Sequence, residues 1–240
     1  MTPAESRTLY SMPFQNAAWL ASGQTRDVLL ACAAVLLLVL VLKDMFRARK
    51  VEDQFEQLAA RLHLDYCHSA SRGLITPYAG LTPLYLLEQG LPLHVFQGHF
   101  RKHPILAFEI SEPGHAKDTS TRCFSIYIRR QPRSLPYLLI CPTGWLAHLP
   151  RPTGAAAAFI REEHLAKSFR VLATEEAFAR HICHTRMVQY LLAHPDLALE
   201  IEGGAIAVWA PESMAPTRIP VRLQQLLELQ ALIPEYLYVA

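Results

Sequence analysis

The sequence predicts an α+β protein: a single N-terminal transmembrane helix followed by a soluble domain of mixed antiparallel sheet and helices. Two observations lead to this prediction. Residues 28–42 contain no charge, proline or glycine, and the segments after them are first strand-like and then helical, without regular βαβ alternation. The predicted organisation is a tail over residues 1–27, a membrane helix over residues 28–46 and a soluble domain over residues 51–240, with residues 142–154 as a candidate point of subdivision.

The apolar run is short for a membrane span, because fifteen helical residues cover about 22 Å of a hydrocarbon core that is about 30 Å thick. Lys43 can extend its ammonium to the headgroups, and Met45 and Phe46 continue the apolar surface. The aromatic residues expected at the opposite interface are Tyr10, Phe14 and Trp19. A buried core helix and a cleaved signal peptide are the alternatives. However, the run has no polar face, and its basic cluster follows it rather than precedes it.

The distribution of lysine and arginine predicts the orientation of this helix. Only Arg7 and Arg26 precede the run, whereas the basic residues that flank it on the C-terminal side are Lys43, Arg47, Arg49 and Lys50. Because the more basic side of a membrane helix faces the cytoplasm, the tail is expected outside and residues 51–240 in the cytosol. The predicted location is therefore the lipid bilayer of a cell membrane.

Charge and cysteine usage limit the classes of function open to the soluble domain. The chain has 23 basic and 21 acidic residues, of which six and three lie within residues 1–50, so the remainder has a small acidic excess. Without a basic excess, the domain is not expected to bind nucleic acid. Its cysteines are scattered without a CxxC pair, which predicts reduced thiols in the cytosol or two disulfides if the domain lies outside. These cysteines are Cys67, Cys123, Cys141 and Cys183.

The elements of the domain follow from periodicity and turn residues. Apolar spacing predicts a helix over residues 51–64, a helix over residues 155–166, a helix capped by Thr174 that stops at His194-Pro195, and a last helix over residues 221–232. A turn-rich stretch follows Tyr66, and residues 142–154 and 211–220 are expected as loops. Alternation and turn signals predict strands over residues 84–87, 93–97, 105–110, 122–130 and 135–141, and a hairpin of residues 197–202 and 205–210 around Gly203-Gly204.

Several of these motifs together resemble a known group of proteins. They are Phe55-x-x-Leu58-Ala59-x-x-Leu62-x-Leu64-x-Tyr66 next to the membrane helix, Leu135-Pro136-x-Leu138, Phe169-x-Val171 before the Glu176 helix, and the Gly203-Gly204 hairpin. The pattern resembles uncharacterised bacterial single-span membrane proteins with a cytoplasmic domain of unknown function. The resemblance implies this architecture and a bacterial inner membrane. It implies no catalytic residue.

Candidate chemistry is sparse in the domain. His99 and His103 lie beside Gly98 and Pro104 in a segment expected to be a hairpin loop. His181, Cys183 and His184 lie on a predicted helix without further ligands at a zinc spacing. No nucleophile motif surrounds Cys141, Gly203-Gly204 lacks the lysine and helix of a phosphate loop, and the acidic pairs Glu162-Glu163 and Glu175-Glu176 are typical of solvated helix starts. We therefore expect no catalytic residue, metal or other cofactor.

Two hypotheses about function follow. The first is a membrane-anchored interaction or assembly module that binds a protein partner or a second copy of itself. Its candidate contact residues are Trp145, Tyr236 and Tyr238, because aromatic side chains outside regular elements often anchor partners. The second is a membrane-bound enzyme without a short motif, in which His99, His103 and the loop over residues 141–145 converge on one pocket.

Overall fold

The computed structural model describes residues 23–87, 90–111, 123–148, 156–157 and 163–238, and it divides the chain into two units, Met1–Val51 and Glu52–Ala240. In the first unit, helix α1 begins at Gly23, and it continues into the second unit to end at Leu62. Each described side chain from Leu29 to Lys43 is exposed, and the exposed fraction of the large apolar ones runs from 42% at Leu42 to 66% at Leu30. This stretch of α1 therefore has no polar face.

The structure describes only some of the residues on which the membrane-related predictions depend. No helix in the described part of the chain has the length and apolarity needed to cross a membrane. Lys43, Arg49 and Lys50 are exposed on α1, and the side chain of Arg47 lies outside the described residues. The predicted interfacial residues Tyr10, Phe14 and Trp19 also lie outside them.

The second unit confirms the predicted α+β class. After α1 its elements are β1 (Leu64–Ser69), α2 (Thr82–Leu86), β2 (Pro92–Phe100), β3 (His103–Ser111), β4 (Cys123–Pro142), β5 (Ala156–Ala157), α3 (Glu163–Ser168), β6 (Phe169–Ala173), α4 (Glu176–Ile182), α5 (Thr185–Ala193), β7 (Ala198–Ala210) and α6 (Ile219–Ala231). Short 3-10 helices cover Arg72–Leu74, Thr76–Tyr78, Thr143–His148 and Glu235–Tyr238.

The seven strands form one antiparallel sheet, and its longest strand, β4, pairs with three others. The order is β1-β2-β3-β4-β6-β5, with β7 paired to β4 as well. β3 pairs with the first half of β4 and β6 with its second half, while β7 pairs with both halves, for example Ile126 with Trp209 and Ile140 with Leu199. The long β4–β7 pair therefore holds the two ends of the sheet together.

Both faces of the sheet are covered, but by different structures. On the helix face, strand residues such as Tyr127 and Ile206 share one apolar core with α1, α3, α4, α5 and α6. On the opposite face, residues such as Leu106, Ile128 and Trp209 share a second core with residues 70–87, which we call the cover segment. The cover segment consists of α2 and two 3-10 helices, so it is short and mostly irregular.

The predicted hairpin around Gly203-Gly204 is wrong, because β7 runs unbroken from Ala198 to Ala210. Opposite the two glycines, β4 bulges: Arg130 pairs with Ala205, and the next aligned residue, Leu135, pairs with Gly203. Gly203 has a positive φ of 57°, which lets β7 follow the bulge. Both halves of β7 pair with β4, whereas the predicted hairpin would have paired them with each other.

Several other element predictions also need correction. The two strands predicted over residues 122–130 and 135–141 are the single central strand β4, and its Pro132 and Pro136 lie at the irregular pairings with β7. Residues 84–87 are not a strand: Pro83 suits the first turn of α2, and a spacing of three buries Leu81, Leu84 and Leu87. The turn-rich stretch predicted after Tyr66 is confirmed over residues 70–81, which contain two 3-10 helices and turns, although residues 67–69 belong to β1.

The predicted helices on the helix face are also more broken than the sequence indicates. The helix after Thr174 is two helices, since the His184 ring accepts from the Met187 amide at 3.4 Å and starts α5 anew. Its first N-cap is Glu175, without a side-chain hydrogen bond. Within residues 155–166, Ala156–Ala157 forms β5 and the helix begins only at Glu163, the rest lying outside the described residues.

Candidate functional site

A cleft of about 350 Å³ opens on the cover face, between strands β2 to β4 and the cover segment. Its apolar lining comes from Leu106 on β3, Ile128 on β4 and Leu74 on the cover segment. Its polar lining comes from Tyr78, Gln97, His99 and Arg130. An apolar cleft with a few converging polar groups is the usual form of a small-molecule site, so this is the candidate site of the second unit.

Strand alternation explains how the polar groups reach the cleft. On β4, Ile126, Ile128 and Arg130 follow each other at a spacing of two and therefore project to the same face. On β2, Gln97 and His99 flank Gly98, which has a φ of 144°. A Cβ at Gly98 would lie 3.2 Å from Leu64 Cδ2, so the glycine allows β1 and β2 to pack closely beside the cleft.

The cleft has a positive electrostatic character. Arg130 is exposed at its rim, and among the described residues no carboxylate lies within ion-pair distance of its guanidinium. None of the described lining residues is acidic. Burial raises the pKa of Tyr78, and the nearby Arg130 partly offsets this by favouring the phenolate. The group best placed to meet a ligand is therefore a cation.

A fully buried carboxylate, Glu200 on β7, fixes the cover segment that walls the cleft. Both of its oxygens accept from the Thr82 backbone amide, at 3.0 and 3.1 Å, and Oε1 accepts from the Thr82 hydroxyl at 2.7 Å. Trp209 Nε1 donates to Oε2 at 2.8 Å, and the Tyr137 hydroxyl donates to Oε1 at 3.3 Å. Burial raises the pKa of Glu200 to about 7, although these four donors favour the charged form.

A close approach at Gly80 supports the same attachment. A Cβ at this position would lie 2.7 Å from Glu202 Oε1, so any larger residue would push the Glu202 side chain away. Burial also raises the pKa of Glu202. The cover segment is thus held against β7 by one buried hydrogen-bond cluster and one tight glycine contact two residues earlier.

A second cluster of aromatic and titratable groups lies where α1 meets β1 and β2. The Phe55 ring stacks on His94 at 4.2 Å between centroids, and the Tyr66 hydroxyl lies 3.0 Å from His94 Nδ1. His68 lies edge-on to His94 at 5.2 Å and pairs with Glu52 at 3.5 Å. Burial, followed by the nearby His68, lowers the pKa of His94. Each polar group here has a neighbour within the cluster, as is typical of a packed structural contact.

The predicted partner-contact residues have different environments. Trp145 is half-buried, with its ring 5.7 Å from the ring of Trp209. Tyr236 is 55% exposed and touches His181 edge-on. Tyr238 is half-buried, and its carbonyl accepts a hydrogen bond from Arg133. Only Tyr236 therefore presents a large free surface.

The convergence required by the enzyme hypothesis is not found. His99 lines the cleft, whereas His103, Cys141 and Trp145 are not among its lining residues. Cys141 is fully buried, and burial raises its pKa to about 12. Within the described ranges, no group of three histidine, cysteine or acidic residues could hold a metal ion.

The second predicted histidine group is equally dispersed. His184 Nε2 lies 2.8 Å from the Leu232 carbonyl, and Cys183 is buried with its pKa raised to about 12 by burial. All five cysteines are free. These residues contribute to packing and helix starts on the helix face.

Of the polar residues that line the cleft, sequence reasoning singled out only His99. Arg130 carried a usable signal, because it continues the buried face of Ile126 and Ile128 with a charge. Glu200 and Tyr78 carried none: Glu200 alternates with Leu199 and Ile201 as a solvated residue would, and its Thr82 partner is 118 residues away.

The fold and the cleft together define an α+β protein with an antiparallel sheet and a cleft that has an apolar lining and an arginine at its rim. No protein-family model and no curated protein matches the chain. Among solved structures it is similar to the crystal structure of the mycobacterial trehalose monomycolate transport factor A, with a TM-score of 0.59 and 15% sequence identity. The similarity covers 78% of this chain and 97% of that chain. It concerns the fold.

Proposed function

We propose that the protein is a membrane-anchored binding module, in which residues 28–46 of α1 lie in a lipid bilayer and the second unit binds a partner. The exposed apolar surface of α1 carries this proposal. Apolar side chains surround the helix from Leu29 to Leu42, and contiguous apolar surface of that kind is costly in water but favourable in lipid. Soluble monomers rarely leave such a surface open.

The charges beside this surface support an orientation. Lys43 directly follows the apolar stretch, and Arg49 and Lys50 are exposed one to two turns further along α1. Basic residues near a membrane helix favour the cytoplasmic side, so the second unit is proposed to lie in the cytoplasm of a bacterial cell. Lys43 can reach the headgroups with its flexible stem, which lengthens an otherwise short span.

A binding role is proposed over a catalytic one because two titratable groups of the second unit, the buried Glu200 and the half-buried His94, are occupied by structural contacts. Glu200 accepts from four donors, and His94 belongs to the packed aromatic cluster. The partner is proposed to be another protein or a second copy of this chain, with Tyr236 as a contact. The structural neighbour is described as a transport factor, and an accessory role in a membrane process would be compatible with that description.

Membrane attachment can be tested by fractionation of cells that express the full chain. We expect the protein in the membrane fraction after carbonate extraction, and a reporter fused after Ala240 to be active only as a cytoplasmic one. Leu36→Arg combined with Leu37→Arg should move it to the soluble fraction, since each arginine costs about 3 kcal/mol at the centre of a span. Val221→Arg combined with Tyr85→Arg is the matched control on exposed positions of the second unit. Recovery of the unmodified chain in the soluble fraction would contradict the anchor.

Partner binding can be tested with a photo-crosslinking amino acid. Tyr236 and Tyr85 have almost equal exposed fractions, 55% and 57%, so they form a matched pair of positions. Crosslinking in intact cells from position 236, but not from position 85, should yield a discrete adduct with a partner or a second copy. Equal, diffuse labelling from both positions would argue against a contact at Tyr236.

A further inference from the structure

We infer that the cleft between β2, β3, β4 and the cover segment binds a small apolar molecule that carries one anionic group. The inference goes beyond membrane anchoring and protein binding, and it rests on the second unit alone. Three observations carry it: the size and lining of the cleft, the cation at its rim with which no described carboxylate pairs, and the attachment of its wall by buried hydrogen bonds.

The cleft is large enough and apolar enough to hold an organic ligand. Its volume of about 350 Å³ falls at the lower end of ligand pockets, which range over about 300–1,000 Å³. Leu74, Leu106 and Ile128 supply an apolar surface from three different elements. An apolar chain or ring laid on them would leave water and gain the corresponding transfer free energy.

The positive charge at the rim of the cleft favours a ligand whose polar end is negatively charged. Arg130 is the one permanently charged residue among the described residues that line the cleft, and no described carboxylate pairs with it. A guanidinium matches the two oxygens of a carboxylate or phosphate with two parallel hydrogen bonds. Tyr78, Gln97 and His99 lie in the same cleft and offer further donors. A neutral or cationic end would form no ion pair with Arg130.

The wall of the cleft is held in place before any ligand arrives. Thr82 is tied to the buried Glu200 by both its amide and its hydroxyl, four residues after Tyr78. Tyr78 itself is buried to 9% exposure within the cover-face core. A preformed wall reduces the entropy that binding must offset, so a small ligand can bind measurably.

The test uses the full chain in phosphatidylcholine nanodiscs and three probes that share one apolar body. These are 4-phenylbutyrate, 4-phenylbutanol and 4-phenylbutylamine, measured by ligand-observed saturation-transfer NMR against empty nanodiscs. The acid should bind at least about fivefold more tightly than the alcohol, which corresponds to about 1 kcal/mol for a partly exposed charge pair. The amine should bind most weakly. Equal binding of the acid and the alcohol would overturn the inference.

Variants locate the binding and separate charge from volume. Arg130→Gln should weaken acid binding about fivefold and leave alcohol binding unchanged. Leu74→Trp should abolish binding of both by filling the cleft, because Leu74 is only half-buried and a larger ring can fit there. Arg170→Gln, an exposed arginine on β6 outside the cleft, is the control of equal charge. Unchanged binding in Arg130→Gln or Leu74→Trp would overturn the assignment.

The anionic group could come from a free acid or from a lipid headgroup, and one further arm distinguishes them. The phosphatidylcholine nanodiscs are replaced by nanodiscs that contain phosphatidylglycerol. Loss of 4-phenylbutyrate binding there would identify an anionic lipid as the occupant, and retention would identify a soluble acid. If fractionation finds the chain in the soluble fraction, the three probes are measured with the full chain in buffer, so the cleft assignment and the membrane anchor can fail separately.

Discussion

A charged side chain is buried on each face of the sheet, but these two side chains have different kinds of hydrogen-bond partner. On the helix face, Arg222 of α6 is 3% exposed and pairs with Asp196 at 2.9 Å and Glu212 at 3.0 Å. On the cover face, Glu200 is fully buried and accepts only from neutral donors. One charge is neutralised by its partners, and the other is not.

The pKa shifts express this difference. For Arg222, burial favours the neutral form, but hydrogen bonds and attraction from Glu212 and Asp196 outweigh it and raise the pKa. For Glu200, burial dominates over four hydrogen bonds and raises the pKa to about 7. The helix face should therefore stay closed across physiological pH, whereas the attachment of the cover segment should depend on pH. The cleft lies on the cover face, next to the segment whose attachment should depend on pH.

The largest expected effect is on the helix face. Leu226 of α6 and Leu84 of α2 are both buried leucines, one on each face, with 0% and 3% exposure. Leu226→Ala should lower the free energy of unfolding by about 4 kcal/mol, because α6 is a thirteen-residue helix that cannot collapse into the cavity. Leu84→Ala should lower the free energy of unfolding by about 2 kcal/mol, because the five-residue helix α2 can move to fill part of the cavity. Chemical denaturation measures both, and equal losses would remove the proposed difference in rigidity.

The strands and the long helix on the helix face could be predicted from the sequence better than the cover segment and the cleft. Strands β2 and β3, both halves of β4 and helix α6 could be predicted, because alternation and helical spacing are local properties of a segment. The cover segment was predicted only as a turn-rich stretch, and its helix α2 was missed because α2 is five residues long and is held by β7 rather than by its own pattern. Glu200 and the unbroken β7 depend on partners in β4 and at Thr82, which no local pattern contains. The cleft could not be predicted, because its lining comes from four separate segments.

The next effect concerns the buried carboxylate itself. Glu200→Leu leaves the Thr82 amide and hydroxyl, the Trp209 indole and the Tyr137 hydroxyl without an acceptor, which should cost about 3 kcal/mol. Hydrogen exchange should then speed up over residues 75–87 and remain slow in α6. Glu200→Gln keeps one acceptor oxygen and should cost about 1–2 kcal/mol. Uniform acceleration over both faces would show that the cover segment does not open separately.

The third prediction is a pH dependence with a defined sign. The pKa of Glu200 is about 7 in the folded protein and about 4.5 in the unfolded chain, so the folded state holds the proton more tightly. The resulting stabilisation is fully present below pH 4.5 and is lost as the pH rises through 7. Between pH 5 and 8 the free energy of unfolding should fall by about 2–3 kcal/mol more in the unmodified chain than in Glu200→Gln. Parallel pH profiles of the two proteins would show that Glu200 does not titrate in this range.

The smallest effect isolates one hydrogen bond of the cover segment. Thr82→Val removes the hydroxyl that donates to Glu200 at 2.7 Å, whereas Thr82→Ser keeps it, so the valine variant should lose about 1 kcal/mol relative to the serine variant. The hydroxyl favours the charged carboxylate, so its loss should also move the pH at which stability falls to a higher value in Thr82→Val. A purely steric role for Thr82 would change stability by the same amount at every pH. Denaturation of the two variants at pH 5 and 8 therefore distinguishes a packing contact from a donor that sets the charge on the cover face.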